Sequence, residues 1–302
     1  SEIQSVIEIQ TDELNYQPYS ERNIRNKLLT IIAFIFTITA LSPLIFVLFF
    51  IFYKGISQLD LSLFLTLPNA PGSELAGGIG NAMLGTIIVT SIAGLIAVPV
   101  GIGGGIYLAE YSREGTFSNF IRFGTNVLAG VPSIIAGVFV YGLIVSTGII
   151  MGSRFSAIAG SMALSILMLP SIIKTTDEGL KLVSDDLRKG SLSLGASKLT
   201  TILKITLPAA IIPIGTGVLL GIARAAGETA PLIFTALFSY YWPSSSSFIM
   251  EPIASLSVLI YNFSIEPYEI QNQLAWAASL VLVIMILFMN IIARWFSHLT
   301  AK

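Results

Sequence analysis

Apolar residues run through this sequence in blocks of about 20, the length at which a helix crosses a hydrocarbon layer of ~30 Å. Six such blocks are predicted as membrane spans: Leu28 to Tyr53, Asn81 to Leu108, about Phe123 to Thr147, Phe155 to Ile173, Pro208 to Phe238, and Leu274 to Ile292. Pro99, Pro132 and Pro213 fall inside three of them. There a missing N–H and a ring against the preceding turn predict kinks, whose freed carbonyls must face protein or water. Two polar connections, about 55–79 and 239–273, are expected on one side. The second contains FIMEPIASLSVLIYNF at 248–263, too short and too acidic for a span, and is predicted as an external or interfacial helix.

Composition agrees with the pattern. Of 302 residues 54% are hydrophobic and 11% charged, with a mean hydropathy of +0.83. An all-α polytopic membrane protein of six transmembrane helices follows. Residues 1–27 are polar, without the basic start and short apolar core of a secretory signal, and are predicted as a cytoplasmic tail preceding a permease domain over 28–302. Lysine and arginine set the orientation. Arg22, Arg25, Lys27, Arg113, Arg122, Lys174, Lys181, Arg188, Lys189, Lys198, Lys204, Arg294 and Lys302 fall in connections on one side, against Lys54 and Arg154 on the other. Both termini are therefore expected in the cytoplasm. Tyr240, Tyr241, Trp242 and Trp276 then fall at the outer interface and Trp295 at the inner one.

Several chemistries are excluded. With no cysteine there is no disulfide, thiolate zinc site or iron–sulfur cluster. The lone His298 lies past the last span and is expected as a solvated side chain; no metal cluster and no nucleophile–base pair is expected, so the chain is not read as an enzyme. A net charge of -1 offers nothing to nucleic acid. The glycines at 101, 103, 104 and 105 and at 215, 217, 221 and 227 lack the Lys-Ser/Thr that completes a phosphate loop. Gly101/Gly105 and Gly217/Gly221 instead have the spacing of four that lets helix backbones touch in lipid.

The connection over about 174–207 is the longest polar stretch on the basic side. Thr176 followed by Asp177 and Glu178 predicts a helix start, and Leu180, Val183, Leu187 and Leu194 predict one apolar stripe broken at Gly195. An amphipathic loop resting on lipid headgroups would fit these features. Nine residues after Gly195 comes ITLP, with Ile205, Leu207 and Pro208. This spacing resembles the loop motif EAA-x3-G-x9-I-x-L-P of the binding-protein-dependent ABC importer permeases. Lys189, Gly190 and Ser191 stand where that family has Glu-Ala-Ala. GGIGNAMLGT (77–86), PVGIGGGIYLAEY (99–111), LAGVPSIIAGVFVY (128–141) and ARAAGETAPLIFTA (223–236) extend the likeness to phosphate importer permeases, of the PstA rather than the PstC branch.

The resemblance implies a type I ABC importer permease fold whose 174–207 loop forms coupling helices on a separate ATPase subunit. It implies a homologous PstC-like permease, two PstB-like ATPase subunits and an extracytoplasmic PstS-like phosphate-binding protein as partners, in a prokaryotic cell membrane. ATP and Mg would be used by the ATPase subunits, with no cofactor on this chain. A permease for sulfate, molybdate or phosphonate, and a secondary transporter or channel, remain as alternatives.

Arg224 and Glu228 are the charges that need explaining, because they sit within the fifth apolar block. A charge at that depth is costly and must face a bundle interior or a water-filled path. At spacing i, i+4 the two are expected on one helix face, in the less favourable Arg-before-Glu order. They form either a structural pair or a translocation site, in which a guanidinium fork takes an oxyanion, Glu228 neutralises it between passages, and Thr229 adds a polar group. The family resemblance implies the second.

Overall fold

The structure, a computed structural model, describes residues 21–75, 77–148, 155–243 and 247–300, the side chains of 293 and 296–300 excepted. The predictions for the tail before residue 21, for Arg154 and Lys302, and for the side chain of His298 lie outside the described residues. Helix α1 spans Glu21–Gly55. Then follow α2 (Leu61–Leu65), α3 (Gly80–Ile106, with a π-helical turn to Tyr111), α4 (Thr116–Gly130), α5 (Ser133–Val140, with a π-helical turn to Val145) and α6 (Ala157–Lys181). The chain continues with α7 (Asp185–Ser193), α8 (Lys198–Thr201), α9 (Leu207–Ala209), α10 (Ile211–Gly227), α11 (Ala230–Thr235), α12 (Leu256–Ser264) and α13 (Glu269–Thr300). Four helical stretches are long and apolar enough to cross a membrane, or up to six if each of two bent pairs is one span.

The chain divides into two compact units, residues up to Tyr53 and residues from Lys54 onward. Within the first, α1 satisfies its polar groups internally, as lipid demands. The hydroxyls of Thr30, Thr37 and Thr39 each donate at 2.8 Å to the carbonyl four residues earlier. Pro43 cannot donate to the Thr39 carbonyl, and Ser42 Oγ does so instead at 3.0 Å.

The second unit is organised around α6, which packs most extensively against α3 and α10. Val89, Ala93, Ala97, Gly101 and Gly105 are buried on α3. Gly160, Leu164, Met168, Ile172, Thr176 and Leu180 are buried on α6, and Gly217, Gly221 and Ala225 on α10. An interval of four makes a ridge along a helix that fits the groove of its neighbour. The predicted role of the spaced glycines is seen directly. A Cβ at Gly101 would lie 2.6 Å from Ile172 Cγ2, one at Gly105 would overlap Thr176, and one at Gly217 would overlap Thr175. Gly101, Gly105 and Gly217 thus bring their helices onto the same partner, whereas a Cβ at Gly221 would meet Ile172 at an ordinary 3.6 Å.

Several predicted elements are corrected. The third span is not one helix: α4 and the α5 segment meet at 104°. Pro132 disfavours the helical region for Val131, which is extended at φ -72, ψ 130. The fifth span starts at Ile211 rather than Pro208, after a 71° bend from Lys198–Ala209. Pro213 lies in the first turn of α10, where its missing N–H leaves the Ala209 carbonyl without a helical donor. Pro99, in contrast, lies within an unbroken α3. Thr176, Asp177 and Glu178 are not a helix start, because α6 runs through them to Lys181. Nor do the leucines form one stripe: Leu180 is fully buried and Leu194 is 90% exposed.

The segment predicted as an external or interfacial helix is helical over Leu256–Ser264 and packs one face on its neighbours. Its helix, α12, buries Leu256, Val258, Leu259 and Phe263, with Phe238 and Tyr240 packed around Phe263. Tyr240 is thereby half-buried in this cluster. The chain just before α12 caps neighbouring helices. Glu251 and Ile249 carbonyls accept from Ala157 N at 2.9 Å and Ile158 N at 3.0 Å, taking two of the first free N–H groups of α6. Leu256 N donates to Thr86 Oγ1 on α3 at 2.8 Å.

The packing yields a prediction with an internal control. Gly105→Ala and Gly217→Ala should each destabilise the purified protein by about 1–3 kcal/mol through overpacking. Gly103→Ala, where a Cβ meets nothing within 4 Å, should be neutral or slightly stabilising. Thermal unfolding in detergent reads the difference; equal melting points for the three variants would remove the close helix contact as the cause.

Candidate functional site

Two groups of candidate residues stand out. The first is the interruption between α10 and α11. Helix α10 stops at Gly227, and Glu228 is extended at φ -72, ψ 130 with its N–H on the Ala225 carbonyl at 3.2 Å. Pro231, at the start of α11, cannot donate to the Gly227 carbonyl, so a continuous helix would lose its bond there. Arg224 and Glu228 are therefore not neighbours on one helix face, as the spacing predicted; Arg224 is in the last turn and Glu228 is past the end. They still meet, with Arg224 Nε donating to Glu228 Oε1 at 3.3 Å.

Packing holds the interruption. Ser257 Oγ, on α12, donates to the Glu228 carbonyl at 2.8 Å. A Cβ at Gly137 on α5 would lie 2.5 Å from Pro231 Cα, so the two backbones touch. The Thr229 carbonyl accepts from Leu232 N at 3.1 Å and Ile233 N at 3.2 Å, and the residue itself is half-buried. The Glu228 side chain is 16% exposed and that of Arg224 55%. Among the described residues the two terminal guanidinium nitrogens of Arg224 have no hydrogen-bond partner. The cation thus faces out of this chain, some 20 Å along α10 at ~1.5 Å per residue.

The second group is the loop between α6 and α10. Ser184 Oγ accepts from Asp186 N at 3.2 Å and starts α7. Gly195, at φ +83, ends it: its N–H reaches the Leu192 carbonyl at 3.0 Å, and Ala196 N reaches that of Ser191 at 3.2 Å. This paired pattern closes a helix with a left-handed residue, for which glycine carries no Cβ penalty. Ser197 starts α8 by accepting from Thr200 N at 3.2 Å, and Ser191 Oγ meets Thr201 Oγ1 at 2.9 Å across the turn. Lys189, Gly190 and Pro208 are exposed, while Ser191, Ile205 and Leu207 are half-buried. Leu187, Leu192, Leu194 and Leu199 are exposed, presenting apolar surface from both helices of the turn.

By sequence, Arg113, Arg122, Lys181 and Arg188 serve only as orientation markers, Asp177 reads as part of a helix start, and Glu110 carries no assigned role. The structure joins them. Arg122 donates to both Asp177 oxygens at 2.9 and 3.1 Å and to the carbonyls of Leu108 and Arg113 at 2.9 and 2.6 Å. Lys181 adds a contact to Asp177 at 2.8 Å. Arg188 pairs with Glu110, and Arg113 with Asp185 at 3.2 Å, where its guanidinium holds the Asp185 carboxyl below the usual carboxylate range. Lys198 Nζ stands 4.6 Å above the Tyr111 ring. An acid near a helix C-terminus, where the macrodipole disfavours it, was the available signal; its partner was not.

Residues 101–302 match the family described as Binding-protein-dependent transport system inner membrane component. The chain is 39% identical over 276 residues to the Phosphate transport system permease protein PstA of Pasteurella multocida (strain Pm70), covering 91% of this chain and 95% of that protein. It is 40% identical over 275 residues to the protein of the same description from Haemophilus influenzae, covering 91% and 94%. A solved bacterial ABC transporter involved in the import of the acidic polysaccharide alginate shares the fold, with a TM-score of 0.59 at 14% identity over 91% of this chain and 96% of that one.

The charge network makes a stability prediction. With Asp177 only 8% exposed, Asp177→Ala should cost about 3–5 kcal/mol, because Arg122 is left partly buried without its partner. Replacing both, Arg122→Met with Asp177→Leu, should recover most of the loss. Melting temperatures of the single and double variants measure this, and a double variant as unstable as Asp177→Ala would assign the loss to something other than the pair.

Proposed function

We infer the function from family membership: this chain belongs to the binding-protein-dependent transport system inner membrane components and, within them, to the phosphate transport system permease proteins PstA. It is the multi-pass permease subunit of an ABC importer of inorganic phosphate. The observation that carries the site assignment is the half-exposed Arg224 guanidinium at a helix interruption within an apolar span. Such a cation is tolerated in a membrane only against protein or water. Since it faces out of this chain, we place a homologous permease opposite, the two subunits enclosing the path between them.

At that path the free edge of Arg224 offers two donors to a tetrahedral oxyanion, while Nε keeps its contact to Glu228. Glu228 compensates the positive charge between passages and weakens anion binding, which allows release. Thr229, at the same interruption, supplies a hydroxyl and a free direction for approach. Selection of phosphate belongs to an extracytoplasmic binding protein, PstS-like, and the driving force to two PstB-like ATPase subunits that use ATP and Mg.

The α7–Gly195–α8 turn is the docking element for an ATPase subunit. Its exposed leucines and Lys189 face outward, with Gly190, Ser191, Ile205, Leu207 and Pro208 completing the coupling segment. Both termini lie in the cytoplasm of a prokaryotic cell under the positive-inside rule.

Two experiments test these assignments. In vesicles containing the full complex, Arg224→Gln should lower ATP-dependent phosphate uptake by roughly tenfold or more at unchanged assembly, the loss of charge-assisted hydrogen bonds. The double variant Arg224→Gln, Glu228→Gln should stay inactive; recovered uptake would make the pair structural, and uptake without ATP would point to a secondary carrier. For orientation, single cysteines at Ser184 and Ser264 in this cysteine-free chain should label from opposite membrane faces, and labelling of both from one face would overturn the assignment.

A further inference from the structure

The coupling turn is attached to the spans in an unusual way. No residue of α7 is fully buried, and Arg188 supplies its most enclosed contact to the ends of the spans. Arg188 Nε donates to both Glu110 oxygens at 3.1 and 3.2 Å, and its Nη2 donates to Oε1 at 2.7 Å. The same guanidinium donates to the Leu180 carbonyl at 2.7 Å and the Val183 carbonyl at 2.6 Å. Glu110 lies in the π-helical turn that ends α3, and Leu180 in the last turn of α6. One guanidinium therefore ties α7 to the ends of both helices that form the main packing interface of the second unit.

Burial separates this contact from the other ion pair that joins α7 to the rest of the unit. The Arg188 side chain is 11% exposed and that of Glu110 5%, whereas the Arg113–Asp185 pair is 43% and 58% exposed. An exposed pair trades its partner for water when the elements move, and so transmits little force. A sealed pair cannot, because separation leaves a buried charge with neither partner nor water. The direction of the side chains matters too: Arg188 turns inward to the spans, and the adjacent Lys189 is exposed on the side where an ATPase subunit would dock.

We propose that Arg188 and Glu110 form the joint that makes α3 and α6 follow α7 when the docked ATPase moves it. Both are positioning residues, acting on the path through the spans rather than touching phosphate. The proposal rests on the importer assignment above and adds the place at which ATP-driven movement enters the membrane helices. The joint itself depends on Arg188 and not on Lys189-Gly190-Ser191, the residues that stand where the family has Glu-Ala-Ala.

The test uses the full complex in vesicles, with ATP hydrolysis and phosphate uptake measured on the same sample. Arg188→Lys keeps the charge but loses the fork; Glu110→Gln keeps the shape but loses the charge. Each should assemble and hydrolyse ATP, while phosphate taken up per ATP falls about tenfold, the effect of a lost charge-assisted hydrogen bond. The double variant should be no worse than either single, because one joint cannot be broken twice. Unchanged uptake per ATP in either assembled variant, or losses that multiply in the double, would overturn the joint. If Glu110→Gln does not assemble, Arg188→Lys decides alone; failure of both to assemble would make the pair a structural clamp and also overturn it. Wild-type vesicles that fail to couple ATP to uptake would count against the importer assignment itself, whereas coupled wild-type with equally coupled variants counts against the joint only.

Discussion

Close backbone contact along α6 is the constraint on which the second unit depends. Lipid supplies no hydrophobic drive between helices, so association has to come from dispersion contacts at short range, and short range requires small residues. Gly101 and Gly105 from one side and Gly217 from the other press α3 and α10 onto Ile172, Thr175 and Thr176. Once α10 is held this way, the positions of Arg224 and of the interruption at Glu228 follow from the geometry of a short helix. At the opposite end of α10 the same contacts fix where the loop of α7 and α8 ends.

The chain handles charge in two contrasting ways. Near the ends of α3, α4 and α6, Arg122 and Arg188 are each largely enclosed, paired with a carboxylate and donating to backbone carbonyls. Such groups have their hydrogen-bonding capacity filled and resist exchange, which suits them to holding elements together. Arg224 makes one contact of 3.3 Å to a carboxylate and shows half of its side chain to whatever lies beyond this chain. Unfilled capacity is what a site for a passing anion needs. The distinction is not one of residue type, since all three are arginines beside an acid.

Interruptions in the helices do comparable work. Val131–Pro132 turns α4 away from α5, Ala210 turns α9 away from α10, and Glu228–Thr229 separates α10 from α11. At each, a proline at or just beyond the break removes a donor that a continuous helix would use. The freed groups are taken up by neighbours, as when Ser257 donates to the Glu228 carbonyl. Backbone that is not helical survives at membrane depth where protein or a polar path receives it, and the third interruption is where the candidate path lies.

The sequence by itself determined the features that depend on short stretches of chain. Run length marks the apolar stretches though not where they break, the distribution of lysine and arginine assigns an expected orientation, and spaced glycines mark the packing ridges. Gly195 marks the turn, because a left-handed backbone is a local preference of one residue. Tertiary structure decided what distance along the chain conceals. Arg122 meets Asp177 across 55 residues and Arg188 meets Glu110 across 78, separations over which no periodicity connects the partners. It also decided that Asp177 lies inside α6, although its neighbourhood has the composition of a helix start, because packing on α3 and α10 outweighs a local capping preference. It likewise decided what the short α12 covers: Phe238, Tyr240 and α13 offer its apolar face a protein surface that no pattern within the segment reveals.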